Sequence, residues 1–142
     1  MEIKDLYNQI IVENSRAQWN RHPVEDKTIS LEGVNPSCGD DIVLELRVKD
    51  GIIEDAGFVG DGCAISQASS SIMVDLVKGK SVEEAKKLMK LFFRMIKGEI
   101  TDEEQIEELE DAAALQGVSH MPARVKCAVL AWHTLEEALE EN

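Results

Sequence analysis

Residues 27–63 read KTISLEGVNPSCGDDIVLELRVKDGIIEDAGFVGDGC, and this stretch decides the fold. Apolar and polar side chains alternate through 41–51, with the two-residue period of a half-buried β-strand. The apolar positions there are Ile42, Leu44, Leu46 and Val48. Shorter runs of β-type composition lie at 28–34 and 52–60. Asp50-Gly51 accepts the positive φ of a tight hairpin turn, so the stretch predicts three antiparallel strands.

Helical patterns flank the predicted strands on both sides. Before them, apolar residues at helical spacing predict an amphipathic helix from Ile3 to about Asn14. After them, a helix is predicted from Cys63 to Lys78 and is ended by Gly79. The segment between the first helix and the strands, which contains WNRHPVED, is interpreted as a loop.

A further helix is predicted to begin at Val82, with Ser81 as N-cap and Glu84 completing a capping box. Its expected buried residues are Leu88, Leu91, Phe92, Met95 and Ile96. A run with eight acids and no bases follows at 99–111, and Pro122 suits the first turn of a last helix that reaches the C-terminus. We expect the acidic run to be a solvated face, with docking of a basic partner as the alternative.

These patterns together predict an α+β fold in which a three-stranded antiparallel sheet packs against about five or six helices. The chain has 142 residues and is 44% hydrophobic. A chain of this length buries roughly two-thirds of the surface that its unfolded form exposes. We therefore expect a single domain spanning residues 1–142.

The charge balance excludes several classes of partner. Twenty-eight acidic against fifteen basic side chains give a net charge of -13, which repels nucleic-acid phosphates and anionic lipid headgroups.

No apolar run has the ~18 residues that a membrane span needs, and MEIKDLYNQI carries acids where a signal peptide would be apolar. We expect a cytoplasmic protein with no nucleic-acid or membrane partner.

Three widely spaced cysteines are the candidate functional residues. An odd number argues against a secreted disulfide framework and favours metal or redox chemistry in a reduced compartment. Cys38 is expected in a bend between Pro36 and Gly39, where the thiol is exposed. Cys63 is expected at a strand-to-helix junction, where backbone N–H groups and the helix dipole favour a thiolate.

The third cysteine, Cys127, falls on the last predicted helix. At about 100° per residue it lies away from an apolar stripe and shares a face with Arg124. The stripe consists of Val125, Val129, Trp132, Leu135 and Leu139. This placement predicts a thiol outside the core, suited to ligation or reactivity rather than to filling the interior.

Three thiolates with the Asp40 carboxylate make a complete tetrahedral set for Zn²⁺, and the same set can hold an iron–sulfur cluster. Asp40 is the hard donor among soft thiolates, so Asp40 or the adjacent Cys38 is the ligand most easily displaced. Taken singly, each cysteine could equally be an inert apolar residue. Of the three histidines, His22, His120 and His133, only His120 is considered as a further ligand.

Three motifs, NPSCGD, GDGCAIS and ALQGVSHMPARVKCAVL, occur in this order and together resemble the U-type scaffold and sulfur-acceptor superfamily of iron–sulfur cluster assembly. The resemblance spans about residues 35–135. It is stronger to the SufU branch than to the IscU scaffold branch, since IscU-type proteins have histidine where this chain has Lys126. It also identifies about 98–117 as an insertion that IscU-type proteins lack, within one IscU/NifU N-terminal-like domain.

The resemblance implies a SufE/IscU-like fold and a zinc site made by Cys38, Asp40, Cys63 and Cys127. It implies a PLP-dependent cysteine desulfurase of the SufS type as partner, whose persulfide sulfur passes to Cys38, and a downstream iron–sulfur assembly scaffold. Arg124 matches a family position close to the metal and would support Asp40 or the freed thiolate. Such a protein is a sulfur-acceptor partner of the desulfurase rather than an independent enzyme.

Three functional hypotheses remain open at this point. The first is a zinc-dependent sulfur-transfer protein, favoured by Lys126 and the insertion. The second is a scaffold on which an iron–sulfur cluster is assembled and transferred. The third is a structural zinc domain without sulfur chemistry, which an aspartate ligand disfavours.

Overall fold

The structure is a computed structural model that describes residues 3–140. Helix α1 spans Ile3–Arg16, and three strands follow: β1 Ile29–Asn35, β2 Asp40–Lys49 and β3 Ile52–Asp61. Helices α2 Ala64–Val77, α3 Val82–Ile96 and α4 Glu103–Glu107 come next. A 3₁₀ helix, Glu110–His120, leads into the last helix, α5 Pro122–Glu140. The predicted α+β fold, with three strands and six helical segments, is confirmed.

The sheet is antiparallel in the order β1-β2-β3, so β2 is central. Asp50 and Gly51 have φ values of 53° and 76°, and they form the predicted tight turn between β2 and β3. Ile42, Leu44 and Leu46 of β2 are fully buried, as their alternation predicts. The turn that carries Cys38 leads directly into this central strand and is therefore anchored by it.

Helices cover the buried face of the sheet. α2 and α5 pack against each other, α5 also packs against β1 and β2, and α2 packs against β3. α1 lies against α2 and the 3₁₀ helix. In the interior the rings of Phe92 and Trp132 are stacked, with centroids 3.8 Å apart. α5 is therefore enclosed on two sides, by α2 and by the sheet.

The ends of α2 and α3 follow the predicted capping. Cys63 is the N-cap of α2 and Lys78 its C-cap, and Gly79 follows in the left-handed region with a φ of 86°. Ser81 caps α3, its hydroxyl accepting the Glu84 backbone N–H at 3.1 Å. Phe92, Met95 and Ile96 of α3 are buried as expected, whereas Leu88 and Leu91 are half-buried.

The segment between α3 and α5 is more ordered than its acidic composition suggests. Its eight acids are all exposed, as expected for a solvated face, but Ile100, Ile106 and Leu109 are buried, and the 3₁₀ helix buries Ala112–Leu115. Eleven residues is long for a 3₁₀ helix. Within residues 3–140, no helix combines the length and hydropathy needed to span a bilayer.

Candidate metal and sulfur site

The turn between β1 and β2 presents Cys38. The Cys38 backbone N–H donates to the Asn35 carbonyl at 3.2 Å, and the Gly39 N–H donates to the Pro36 carbonyl at 3.3 Å. Gly39 has a φ of 70°, a conformation that glycine adopts without steric cost. The Cys38 thiol is partly exposed, as predicted for a bend. Asp40 begins β2 and points inward with an exposed fraction of 1%.

The start of α2 presents Cys63. Its Sγ accepts the Ser66 backbone N–H at 3.4 Å, and this hydrogen bond satisfies one of the free donors of the first helical turn. The Cys63 backbone N–H donates to Asp40 Oδ1 at 2.7 Å. The residue that caps α2 and the carboxylate at the start of β2 are therefore joined directly, through the Cys63 backbone N–H.

Cys127 lies in the first half of α5 and is 2% exposed. The prediction that it lies outside the core is wrong. Ala131 and Thr134, which share the helix face of Cys127, are also buried, whereas Val125 and Val129 of the predicted stripe are only half-buried. The error has a physical cause: α5 is packed on two sides, so a single apolar stripe does not define its buried surface.

The structure brings the predicted donors together. The Sγ atoms of Cys38 and Cys127 are 2.6 Å apart, and both cysteines are free. One donor atom each from Cys38, Asp40 and Cys127 lies within 4.8 Å of the other two. Cys63 lies beside this group rather than within it, near enough for its thiol to raise the pKa of Cys127. Three segments of the chain thus converge on one place.

The donor set fits a divalent cation. Burial raises the pKa of the Cys127 thiol, and the adjacent Cys38 and Cys63 thiols and the negative charges of Cys63 and Asp40 raise this pKa further. Asp40 Oδ2 is buried and has no hydrogen-bond partner among the described residues. A nearby cation would oppose the raised pKa and would satisfy the free carboxylate oxygen. Thiolate and carboxylate together are ligands that Zn²⁺ accepts.

Other candidate residues lie apart from this cluster. The Arg124 side chain is exposed and makes no hydrogen bond or ion pair within the described part of the chain. His120 is exposed at the end of the 3₁₀ helix, and His133 is near Glu136 and stacks on Phe93. His22 lies over Gly57 of β3. None of the three histidines belongs to the group of close donors found within residues 3–140.

Two residues that the sequence analysis did not select also border the site. Asn35 and Ser66 are buried, and the Asn35 Nδ2 and Ser66 Oγ atoms are buried without hydrogen-bond partners in the described structure. Their positions in the sequence gave a usable signal, because Asn35 begins the NPSCGD motif and Ser66 follows Cys63 by three residues. A polar side chain one turn from a ligand is a candidate to orient it.

Comparison with known proteins gives a consistent result. Residues 6–127 match the model of the NifU-like N-terminal domain. The protein named iron–sulfur cluster assembly scaffold protein IscU of Thermotoga maritima is 41% identical over 141 residues, covering 99% of this chain and 97% of that protein. The zinc-dependent sulfurtransferase SufU of Bacillus subtilis is 42% identical over 137 residues, covering 96% and 91%.

Solved structures agree with this relationship. A crystal structure of SufU from Fervidobacterium islandicum, described as a cluster assembly scaffold for the SUF system, superposes with a TM-score of 0.86 at 36% identity. It covers 97% of this chain and 99% of that one. The resemblance seen in the three cysteine motifs is confirmed, and the chain belongs to the NifU-like N-terminal domain family.

Proposed function

We propose that this protein takes part in iron–sulfur cluster assembly as a zinc-dependent sulfur-transfer protein that receives persulfide sulfur on Cys38 from a cysteine desulfurase. One observation carries the proposal: Cys38, Asp40 and Cys127 place donor atoms within 4.8 Å of one another, with the Cys63 thiol alongside. Relatives named for cluster assembly and for zinc-dependent sulfur transfer support the general role.

Cys38, Asp40, Cys63 and Cys127 are the residues proposed to hold Zn²⁺. Bound there, the ion would keep the thiols deprotonated and protected from oxidation. Of the three thiols, Cys38 is the one placed for exchange: it lies in a partly exposed turn, whereas Cys63, also partly exposed, caps α2 and Cys127 is buried in α5. A docked donor can therefore reach Cys38 without disturbing α2 or α5.

The proposed step is thiolate exchange on a persulfide. The Cys38 thiolate attacks the outer sulfur of the cysteine persulfide on the desulfurase, and a new S–S bond forms on Cys38. The S–S bond on the desulfurase breaks, and its electron pair stays on the departing cysteine thiolate. No net oxidation or reduction takes place, so the step needs no further oxidant, reductant or general base from this chain.

The partner is proposed to be a PLP-dependent desulfurase of the SufS type, and a downstream cluster scaffold would receive the sulfur. Arg124 is exposed in the first turn of α5, three residues before Cys127, where it could support an anionic sulfur after docking. In this scheme the chain is an acceptor that serves the desulfurase and not an enzyme acting alone.

Transfer of labelled sulfur tests the proposal. A desulfurase loaded with ³⁵S-persulfide should label the wild-type chain, and Cys38→Ala should abolish the label while the fold is retained. Ser37→Ala is the matched control, because it alters an exposed neighbour in the same turn and should leave labelling unchanged. Normal labelling of Cys38→Ala would show that the role assigned to Cys38 is wrong.

A scaffold function is the second candidate, supported by the IscU name of the relative from Thermotoga maritima. The same thiols can hold an iron–sulfur cluster. Metal and sulfide analysis of the purified protein separates the two functions. A colourless protein with one zinc supports transfer, whereas a brown protein with iron and acid-labile sulfide supports scaffolding.

A further inference from the structure

Helix α3 carries a basic stripe on its outer face. At about 100° per residue, its five cations fall within an arc of roughly 100°, on the side of the helix away from the buried residues. No acid interrupts them within 85–98. The members of the basic stripe are Lys86, which is half-buried, and the exposed Lys87, Lys90, Arg94 and Lys97. The stripe therefore faces solvent as one continuous surface.

The basic stripe is not neutralised within the chain. None of its members forms an ion pair with another described residue. Glu136 and Glu140 of α5 border the same small cavity as Lys86 and Lys90, but no ion pair joins them. Lys86, Lys90 and Arg94 are four residues apart, and like charges at this spacing destabilise a helix. The helix dipole favours cations only in the last turn, so it does not explain Lys86 or Lys90.

The acidic run at 99–111 lies alongside α3 and extends in the opposite direction. It starts at the end of α3, where the Glu99 N–H donates to the Arg94 carbonyl at 2.9 Å. It returns to the start of α3, where a Glu110 carboxylate oxygen is 3.8 Å from Lys80 Nζ. Between these points α4 packs against α3. The acids of the run are all exposed, so a negative surface borders the basic stripe.

We propose that the basic stripe of α3 binds the acidic run of a second copy of this chain in a symmetric dimer. Because the two surfaces are complementary and lie side by side, one two-fold axis sets each stripe against the other copy's run. The dimer contains this contact twice and leaves neither surface free for a third copy. The inference goes beyond the proposed function and does not depend on it.

The acidic run decides which partner fits the stripe. Another acidic protein, a nucleic acid or an anionic membrane would also meet the acids beside the stripe and be repelled by them. A second copy presents its own stripe there, so both surfaces are neutralised together. Two chains of net charge -13 repel each other at long range. At ~0.15 M salt, however, exposed charges more than about 8 Å apart are largely screened, whereas contacts across an interface are closer than this.

The start of α3 is distant from the thiols. The Val82 N–H donates to the Gly51 carbonyl at 2.9 Å, which places this end of α3 beside the turn between β2 and β3. Asp40 is at the other end of β2, and the ten residues of that strand span about 30 Å. We therefore expect Cys38 to stay accessible to a sulfur donor on both copies of the dimer.

Sedimentation velocity of the full chain, over a range of protein concentrations, tests the inference. Wild type should form dimers at ~0.15 M salt. These dimers should dissociate at ~1 M salt, where the screening length falls to about 3 Å. A contact made mainly by apolar surface would not be weakened by screening.

Charge reversal in the stripe is compared with charge reversal elsewhere. Lys87→Glu with Arg94→Glu should raise the dimer dissociation constant about tenfold or more, because each reversal turns an attraction into a repulsion and occurs twice in the dimer. Arg16→Glu with Lys49→Glu is the matched control. Both of these cations are exposed and lie outside α3. The control changes the net charge equally and should leave the dissociation constant near the wild-type value.

Exchanging the charges of the two surfaces identifies the occupant. One variant carries Lys87→Glu, Lys90→Glu, Arg94→Glu and Lys97→Glu. The other carries the five reversals Glu99→Lys, Glu103→Lys, Glu104→Lys, Glu107→Lys and Glu108→Lys. Each should be monomeric alone, and an equimolar mixture should form a mixed dimer. Five reversals of two units each change the net charge from -13 to -3, so weaker overall repulsion would by itself favour association of the lysine variant. Melting temperatures establish that both variants are folded.

Four outcomes would overturn the inference. Wild type that is monomeric at ~0.15 M salt has no such dimer. Dimers that persist when the stripe is reversed would place the interface elsewhere. A mixture of the two folded charge-exchanged variants that stays monomeric would mean that the stripe and the run do not face each other. Binding of polyglutamate to the stripe of a monomeric wild type would assign this face to an acidic partner protein. All four outcomes leave the proposed function standing.

Discussion

Single residues decide whether the donors can meet, and Gly62 is the clearest case. A side chain at this position has no room, because its Cβ would lie 2.8 Å from Asp40 Oδ1. Real Cβ atoms do not approach a neighbour so closely, so the carboxylate would have to move. Since Oδ1 also accepts the Cys63 N–H, displacement would disturb both a proposed ligand and the start of α2.

Gly62→Ala is therefore expected to weaken zinc binding about 10- to 100-fold, the range typical for loss of a contact that orients a ligand. Gly117→Ala is the control, because no atom lies within 4 Å of the added methyl group. Competition with a chelator of known affinity measures both variants. Equal zinc affinity in Gly62→Ala and wild type would show that zinc binding does not depend on the present position of the Asp40 carboxylate.

Glu45 gives a pH-dependent prediction at a distance from the thiols. It is 6% exposed, and its carboxylate accepts the Val24 N–H at 2.8 Å and the Lys27 ammonium at 2.9 Å. The Val24 hydrogen bond, together with Lys27, lowers the pKa of Glu45 despite its burial. A lowered folded-state pKa means that the stabilisation is present above the unfolded value and is lost as the pH falls through the folded value.

Glu45→Gln should therefore cost about 2 kcal/mol of unfolding free energy at pH 7, the size of a hydrogen bond to a charged group. The difference from wild type should shrink as the pH falls below about 4.3, the unfolded value for glutamate. Urea unfolding of both proteins, from pH 7 to below this value, measures the difference in unfolding free energy. Glu137→Gln, at an exposed position of α5, should stay near wild type, and a pH-independent loss in Glu45→Gln would contradict the linkage.

At the level of elements, the contact between α2 and α5 positions two of the three thiols. Ser69 of α2 donates to the Ala128 carbonyl at 2.5 Å and accepts the Trp132 indole N–H at 2.9 Å. All three residues are fully buried or nearly so. This bridge joins the helix capped by Cys63 to the helix that carries Cys127.

Ser69→Ala should lower the unfolding free energy by about 1–3 kcal/mol, because the buried Trp132 N–H loses its acceptor. Ser70→Ala should be close to neutral, since its hydroxyl bonds a carbonyl of its own helix and alanine has the higher helix propensity. Chemical denaturation followed by tryptophan fluorescence measures both. A loss of the same size in both variants would mean that the bridge adds nothing specific.

The elements that could be predicted from sequence were those with local signals. Alternating apolar residues identified β2, Asp50-Gly51 identified its turn, and Ser81 with Glu84 identified the start of α3. The environment of Cys127 could not be predicted, because it depends on α5 being covered by α2 and by the sheet at once. A helical wheel contains no information about a second packing partner. Asn35 and Ser66 lie next to the cysteine motifs, but the feature that singles them out among their neighbours, a buried polar atom without a hydrogen-bond partner in the described structure, is visible only in three dimensions.

At the scale of the whole molecule, the candidate site ties together three regions distant in sequence. Cys38 and Asp40 belong to the sheet, Cys63 to the start of α2 and Cys127 to α5. Cys38, Asp40 and Cys127 place donor atoms within 4.8 Å of one another and Cys63 lies beside them, while the assignment of all four to one metal stays a prediction. A ligand that contacts all three regions binds the folded chain and not the unfolded one, so it must stabilise the fold.

Zn²⁺ should therefore raise the melting temperature by several degrees. Free zinc at 100 times its dissociation constant adds about 2.7 kcal/mol. Mg²⁺ should have no effect, because thiolates are poor ligands for it, and Cys127→Ser should reduce the zinc effect. Differential scanning fluorimetry with and without chelator measures the shift, and an equal shift in Cys127→Ser would remove that residue from the site.

The direct bridge from Ser69 to α5 also has an evolutionary consequence. Because α2 and α5 touch each other, the chain that connects them at 78–121 does not set the distance between Cys63 and Cys127. Insertions and deletions can accumulate in that connection without moving a thiol. The short turn at 35–40 and the Gly62-Cys63 pair have no such tolerance, so length variation among relatives should be concentrated between α3 and α5.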